Sequence, residues 1–283
     1  MIFTSTGGQK KVSAVQYAKR LLSVGLKNIE LSGGAFSESY EAEIESIYPH
    51  ANLRIHNYFP PPKNPFVFNL ASTDKHIKQI SHAHVENAIR IAAKYGEKIY
   101  SFHAGFRVNP KVEELGGELR RYKLLDRNSA LEVFGESIAD LANYAKQHDV
   151  MLLIENNVIG SRNFKVYQED PLLLTSPDEI SNFMNNVPSN VGLLVDLAHL
   201  YVSSVTLGFN AVKAHNQISQ WVHAYHLSEN NGLEDLNWPV EEESWFWNCI
   251  RRDLDYYSLE VYGVSEDALS GQVNLVENKL LTV

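Results

Sequence analysis

Cysteine is nearly absent: Cys249 is the one example among 283 residues. That excludes an intrachain disulfide and a thiolate zinc cluster, so any metal site has to use nitrogen and oxygen ligands. No apolar run approaches the roughly 18 residues of a membrane span, and the opening MIFTSTGGQKK lacks the charged-then-apolar order of a signal peptide; the expectation is a cytoplasmic protein with no membrane partner. Basic residues are in deficit, 25 Lys and Arg against 34 Asp and Glu, for a formal charge of -9. This weakens the case for a protein that coats phosphates, although a local basic groove can coexist with an acidic whole. No stretch rich in Pro, Gly or Ser divides the chain, and residues 1–283 read as a single domain. Neither the Gly-x-Gly-x-x-Gly fingerprint nor the phosphate-loop pattern follows a strand-like run.

What the chain does have is a regular alternation of strand-like and helix-like segments from end to end. The strand candidates are IFTST (Ile2–Thr6), NIELSG (Asn28–Gly33), NLRIHNYF (Asn52–Phe59), KIYSFHAG (Lys98–Gly105), VMLLIENN (Val150–Asn157), VGLLVDLAH (Val191–His199), VHAYHLSEN (Val222–Asn230) and YSLEVYG (Tyr257–Gly263). Between them lie amphipathic segments such as VSAVQYAKRLLSVGL, DKHIKQISHAHVENAIRIAAKYG, SALEVFGESIADLANYAKQHD and EEESWFWNCIRRDLD, with another opened by Ser176 and Pro177. Eight such units match the size and period of an α/β protein of the (β/α)8 TIM barrel class; a doubly wound open sheet is the alternative. The longest irregular stretches, FPPPKNPFVFNL and FRVNPKVEELGGELRRYKLLD, each follow a strand, where a barrel builds its site, and read as site walls.

Polar residues recur at one end of these strands. His56, His103, Glu155, Asp196, His226 and Glu260 each lie late in a strand, from the third strand to the eighth. In LLVDLAHLY, period 2 sends Leu194 and Asp196 to one face, and His199 can join Asp196 only if the strand ends and turns between them. A buried ionised carboxylate costs several kcal/mol unless it is paired or bound to a metal. Taken singly, a strand-end histidine is more often structural than a ligand, and His76, His82, His84, His148, His215 and His223 fall in helical or exposed settings with no claim on function. It is the repetition at the same end that implies a common mouth, suited to a divalent ion of the Mn, Mg, Co or Zn group.

The pieces IENN around Glu155, VDLAH, HLSEN around His226 and SLEVYG around Glu260 give the chain its affinity. It resembles the xylose isomerase-like barrel superfamily, which contains sugar isomerases and epimerases and the endonuclease IV type of apurinic endonuclease. In the sugar-acting branch the resemblance implies one divalent metal held by Glu155, Asp196, His226 and Glu260, with His199 contacting a substrate oxygen. Mn2+ is the expected ion, with Zn2+, Co2+ and Mg2+ as alternatives. The endonuclease branch is similar around His56 (RIHNYFPPPKNPFVFNLAS) and His103 (SFHAGF), but its further Asp-x-His appears here as Asp235 followed by Asn237, a poor zinc ligand.

The leading expectation is a metal-dependent isomerase or epimerase of a small sugar, sugar phosphate or related keto compound. Glu155 and Glu260 would move the proton next to a carbonyl, through an enediolate. His56, His103 and His199 would orient the substrate, Tyr58, Phe59, Phe106 and Trp238 could wall it in, and Arg107 and Arg162 could anchor a phosphate or carboxylate. The alternatives are a metal-dependent phosphodiester hydrolase acting on abasic DNA, and a barrel that binds a ligand without catalysis. A small carbohydrate is the expected partner and nucleic acid is not. WFWNCI (Trp245–Ile250), on an expected late helix, reads as core or as the interface of a homo-oligomer.

Overall fold

The computed structural model describes residues 1–281. Eight strands close into a barrel in chain order: β1 Ile2–Ser5, β2 Asn28–Ser32, β3 Asn52–His56, β4 Ile99–His103, β5 Met151–Glu155, β6 Val191–Asp196, β7 Val222–Leu227 and β8 Tyr257–Leu259. Every neighbouring pair is parallel, and β8 returns to β1 through Phe3 opposite Ser258. The helices are α1 Ala14–Ser23, α2 Tyr40–Ile47, α3 Lys75–Lys94, α4 Arg127–Gln147, α5 Ser161–Tyr167, α6 Pro177–Met184, α7 Leu197–Leu207, α8 Ala211–Ile218 and α9 Glu266–Leu281. None of them is long and apolar enough to cross a membrane.

A parallel strand covered on both faces should be apolar throughout, and β6 is buried at all six positions. Its outward residues Leu193 and Val195 join the main core between barrel and helices, whereas Leu194 points inward to meet Phe3, Leu153, Ala224 and Tyr256. This inner cluster fills the barrel below the polar residues, so the interior is solid floor rather than pore. Helix starts follow local chemistry. Ser13 and Gln16 form a reciprocal capping box on α1, and Asp74 accepts from His76 N and Ile77 N at the start of α3. Ser176 precedes α6 without a side-chain cap bond, and Pro177 supplies the first turn instead.

All the expected strands are present, but each stops one to four residues before its expected C-terminal end. The chain leaves the sheet where polar side chains turn into the mouth. Asn57, directly after His56, has φ 49°, and Asp196 caps α7 by accepting from His199 N at 2.8 Å. The expected helix over EEESWFWNCIRRDLD is absent; a single 3-10 turn, Trp245–Asn248, takes its place. Tertiary contacts override the helical pattern there, because Arg251 N donates to the Tyr225 hydroxyl and Arg251 Nη1 to Val222 O, tying the chain to β7 just before it enters β8. Phe246 and Trp247 are buried in the main core. The two long loops after β3 and β4 are clamped together by Asn69, whose amide donates to Phe106 O and Val108 O while its oxygen accepts from Phe106 N.

Candidate metal centre

Register explains how distant residues meet. His103 lies opposite Glu155 across β4 and β5, and Asp196 lies opposite His226 across β6 and β7. His56 sits opposite Ser101, one inward step below His103, and His226 opposite Ser258, one step below Glu260. Barrel closure then brings ligand atoms of Glu155, Asp196, His226 and Glu260 within 4.8 Å of one another, and two smaller groups, His56, His103 and Glu155, and Glu30, His56 and His226, are equally close. Glu155 belongs to the first two of these groups. Its Oε1 is 3.1 Å from His226 Nδ1, and its Oε2 is 3.4 Å from His56 Nε2 and 3.3 Å from His103 Nδ1. Glu260 Oε2 approaches His226 Nδ1 to 3.2 Å.

His199, in the first turn of α7, reaches the same mouth. Its Nδ1 donates to Asn156 O at 2.9 Å, and its Nε2 lies 3.2 Å from Asp235 Oδ2. Because a carbonyl only accepts, Nδ1 carries a proton, and the Asp235 carboxylate favours a second on Nε2. Burial opposes that charge, but Asp196, Asp235 and Glu155 outweigh it and hold the imidazole well above its ordinary range. Asn156 also brackets Asp196, accepting from its N at 2.8 Å and donating to its O at 3.1 Å.

The electrostatics describe a site short of positive charge. Burial would raise Glu155, yet the surrounding imidazoles of His103, His226 and His56 hold it well below the carboxylate range. Glu260 is likewise lowered to about 2, burial being outweighed mainly by His226. Asp196 goes the other way, up to about 7, through burial and the repulsion of Asp235 and Glu155. Burial depresses His103 to about 4. Glu155 Oε2, Asp196 Oδ2 and His103 Nδ1 are buried without a hydrogen-bond partner. An unpaired buried polar atom costs about 1–3 kcal/mol, more when charged. Converging, unpaired oxygen and imidazole atoms therefore fit a divalent cation.

Several residues expected to touch substrate are committed elsewhere. Arg107 is a loop clamp: Nε donates to Leu125 O, and Nη1 to Asp170 O and Glu169, each at 2.7–2.9 Å. Tyr58 packs on Phe68 and on His84 of α3, on the helix side, and its hydroxyl accepts from Phe68 N. Phe59 is buried in the main core, and Phe106 packs in a satellite cluster with Leu172. Arg162 is exposed and paired with Glu234 at 2.5 Å on the wall of an open cavity of about 600 Å³. Trp238 is half exposed on the loop after β7, where its backbone pairs with Glu229.

Two participants escaped the sequence reading. Tyr262 donates to Glu260 Oε1, leaving Oε2 free to face His226, and it lies so close to Gly7 that a Cβ there would overlap its hydroxyl. Glu30, fully buried on β2, lies 3.0 Å from His226 Nε2. The signal for Glu30 was present: an acid between Ile29 and Leu31 in a strand has to point into the barrel.

Fold and site together define a closed parallel barrel with a buried nitrogen and oxygen cluster at the C-terminal ends of its strands. The chain belongs to the xylose isomerase-like TIM barrel family, whose sequence model matches residues 19–255. Among solved structures it is similar to a D-tagatose 3-epimerase-like protein (TM-score 0.69, 13% identity, 99% of each chain covered). It is also similar to D-psicose 3-epimerase from Clostridium cellulolyticum, solved with D-tagatose (TM-score 0.65, 12% identity, 99% of this chain and 95% of the other). A further match is a Thermus thermophilus protein soaked with ZnCl2 (TM-score 0.62, 18% identity, 98% of this chain and 97% of the other). At such identities these likenesses establish the fold. No curated protein matches the chain significantly.

Proposed function

We propose that the protein is a divalent-metal-dependent isomerase or epimerase of a small sugar, sugar phosphate or related keto compound. The observation that carries this reading is the approach of Glu155, Asp196, His226 and Glu260 ligand atoms to within 4.8 Å of one another at the mouth. These four residues would hold the ion. Bound there, it would supply Lewis-acid stabilisation of the negative charge that grows on substrate oxygens.

The chain's own residues supply the rest. Glu155 ends β5 and Glu260 directly follows β8, so the two carboxylates come from strands on different sides of the barrel. One removes the proton from the carbon next to the carbonyl; its return by the other, on the opposite face, gives an epimer, and its return by the same group to the neighbouring carbon gives an isomer. Asp196 binds, and His199, held between Asn156 O and the Asp235 carboxylate, sets a positive charge at the mouth beside the substrate oxygens. Trp238, half exposed, is retained as a wall for the sugar ring. The similarity to a D-psicose 3-epimerase solved with D-tagatose, and to a D-tagatose 3-epimerase-like protein, supports a ketose as the first substrate to try. The test is to incubate the Mn2+-loaded protein in D2O with a panel of ketoses and their phosphates. Solvent deuterium on the carbon beside the carbonyl is the expected outcome.

A second reading has its own observation. His56, His103 and Glu155 form a further ligand group that shares Glu155 with the first, the arrangement a two-ion phosphodiester hydrolase needs. Against it stand Asn237 in place of a third-site histidine and the net charge of -9. Two bound ions with nicking of an abasic duplex would favour it over the sugar reading.

A further inference from the structure

Below the proposed ligands lies a buried carboxylate with no part in the chemistry above. Glu30 comes from the middle of β2, is fully buried, and lies against His226 from the side opposite the other acids. Its Oε2 meets His226 Nε2 at 3.0 Å and also accepts from the Tyr256 hydroxyl. The opposite edge of the same ring, Nδ1, is 3.1 Å from Glu155 Oε1, 3.2 Å from Glu260 Oε2 and 3.9 Å from Asp196 Oδ2. His56 stacks edge-on to His226 with centroids 4.7 Å apart, and its Nδ1 is occupied by Ser101 Oγ at 2.9 Å.

A histidine can offer a lone pair to a cation only from a nitrogen that carries no proton, and the partner of the other nitrogen decides which one that is. Carboxylates accept and cannot donate, so in the metal-free site the contact with Glu30 calls for a proton on Nε2 and the contact with Glu155 for one on Nδ1; a cation held among Glu155, Asp196 and Glu260 would replace the Nδ1 proton and leave the Nε2 proton with Glu30. We infer that Glu30, itself held by Tyr256, is a positioning residue that keeps the His226 proton on Nε2 and so turns Nδ1 towards Glu155, Asp196 and Glu260 as a ligand. The inference rests on the reading of His226 as a metal ligand. Its geometry is local to the barrel interior: Phe3 and the Arg54 guanidinium pack around Tyr256 beneath, which closes the floor to water.

Two measurements test it. The first uses metal-free full-length protein labelled with 15N at histidine. The wild type is expected to show a slowly exchanging imidazole N–H, assigned to His226 Nε2 by coupling of that nitrogen to both Hδ2 and Hε1. Glu30→Ala is expected to lose its protection, and Glu30→Gln, whose amide oxygen still accepts, to retain it. The second is Mn2+ affinity by competition with a chromophoric chelator, expected to weaken by about 10–100-fold in Glu30→Ala and by less in Glu30→Gln. A protected Nε2–H that persists in Glu30→Ala, or unchanged Mn2+ affinity in that variant, overturns the inference. If Glu30→Ala does not fold, loss of the N–H in Glu30→Gln does the same. A wild type that binds no ion yet shows the protected N–H, lost in Glu30→Ala, would defeat the proposed function and leave the role of Glu30 in place.

Discussion

Glu155→Gln is the most informative single substitution, because it removes charge and basicity while keeping shape. Glu155 is fully buried, and its two oxygens face imidazoles of His226, His56 and His103 at 3.1–3.4 Å. Gln fits the same volume, so the barrel is expected to fold, with a thermal unfolding midpoint that checks this. Losing a general base costs about 10²–10⁴ in rate, or about 3–5 kcal/mol in barrier. Losing an anionic ligand weakens ion binding as well. The two effects separate when turnover is measured by deuterium uptake from D2O across rising Mn2+: a deficit of at least about 100-fold that survives saturation belongs to the proton transfer. A Gln variant that folds and keeps wild-type exchange on the turned-over ketose would refute the assignment of Glu155 as base.

The other predictions concern the same site and its supports. Glu260→Gln should lower turnover by a similar factor, and exchange on just one face of the substrate in either variant would tell the two glutamates apart. Chelation should abolish activity and Mn2+ restore it, with unfolding free energy raised by about 3 kcal/mol when free ion exceeds Kd about 100-fold; a midpoint indifferent to ions would contradict this. Metal-free protein should lose stability as pH rises from about 6.5 to 8. The raised Asp196 contributes stability present below its unfolded value and lost as pH climbs through about 7, and the raised His199 and His226 lose theirs as pH rises from the ordinary 6.5 through their folded values. At the acid side the lowered Glu30 and Glu260 lose their contribution as pH falls towards about 2, and the burial-lowered His103 loses its own as pH falls from 6.5 towards about 4, so urea midpoints should peak near pH 6; a metal-free profile still rising from pH 6.5 to 8 would contradict the charge balance described. Arg107→Ala should cost about 2–3 kcal/mol of stability through its lost loop bonds yet leave Mn2+ affinity unchanged; the reverse pattern would return Arg107 to the site.

Much of this was legible before any coordinates, for a physical reason. Period-2 patterning and the cost of a lone buried charge make Asp196 in LLVDLAHLY conspicuous, and the same logic picks out Glu155 and Glu260. Strand ends were overextended because the residues that leave the sheet, such as Asn57 and Asn156, sit in runs whose apolar neighbours continue the strand pattern. Glu30 is less conspicuous because it lies in mid-strand rather than near an end, and its partner His226 is 196 residues away. Arg107 misleads for a related reason. A cation soon after a strand end suits an anion site and a loop clamp equally, and only the carbonyls of Leu125 and Asp170 show which one Arg107 serves. The WFWNCI segment has a helical period, but its aromatic anchors and the short run into β8 leave room for a single turn.

The most direct measurement is an anomalous-difference map from crystals grown with Mn2+ and no chelator. The account predicts a peak coordinated by Glu155, Asp196, His226 and Glu260, with His226 binding through Nδ1. An ion bound elsewhere, or those four side chains intact and empty under saturating Mn2+, would contradict it.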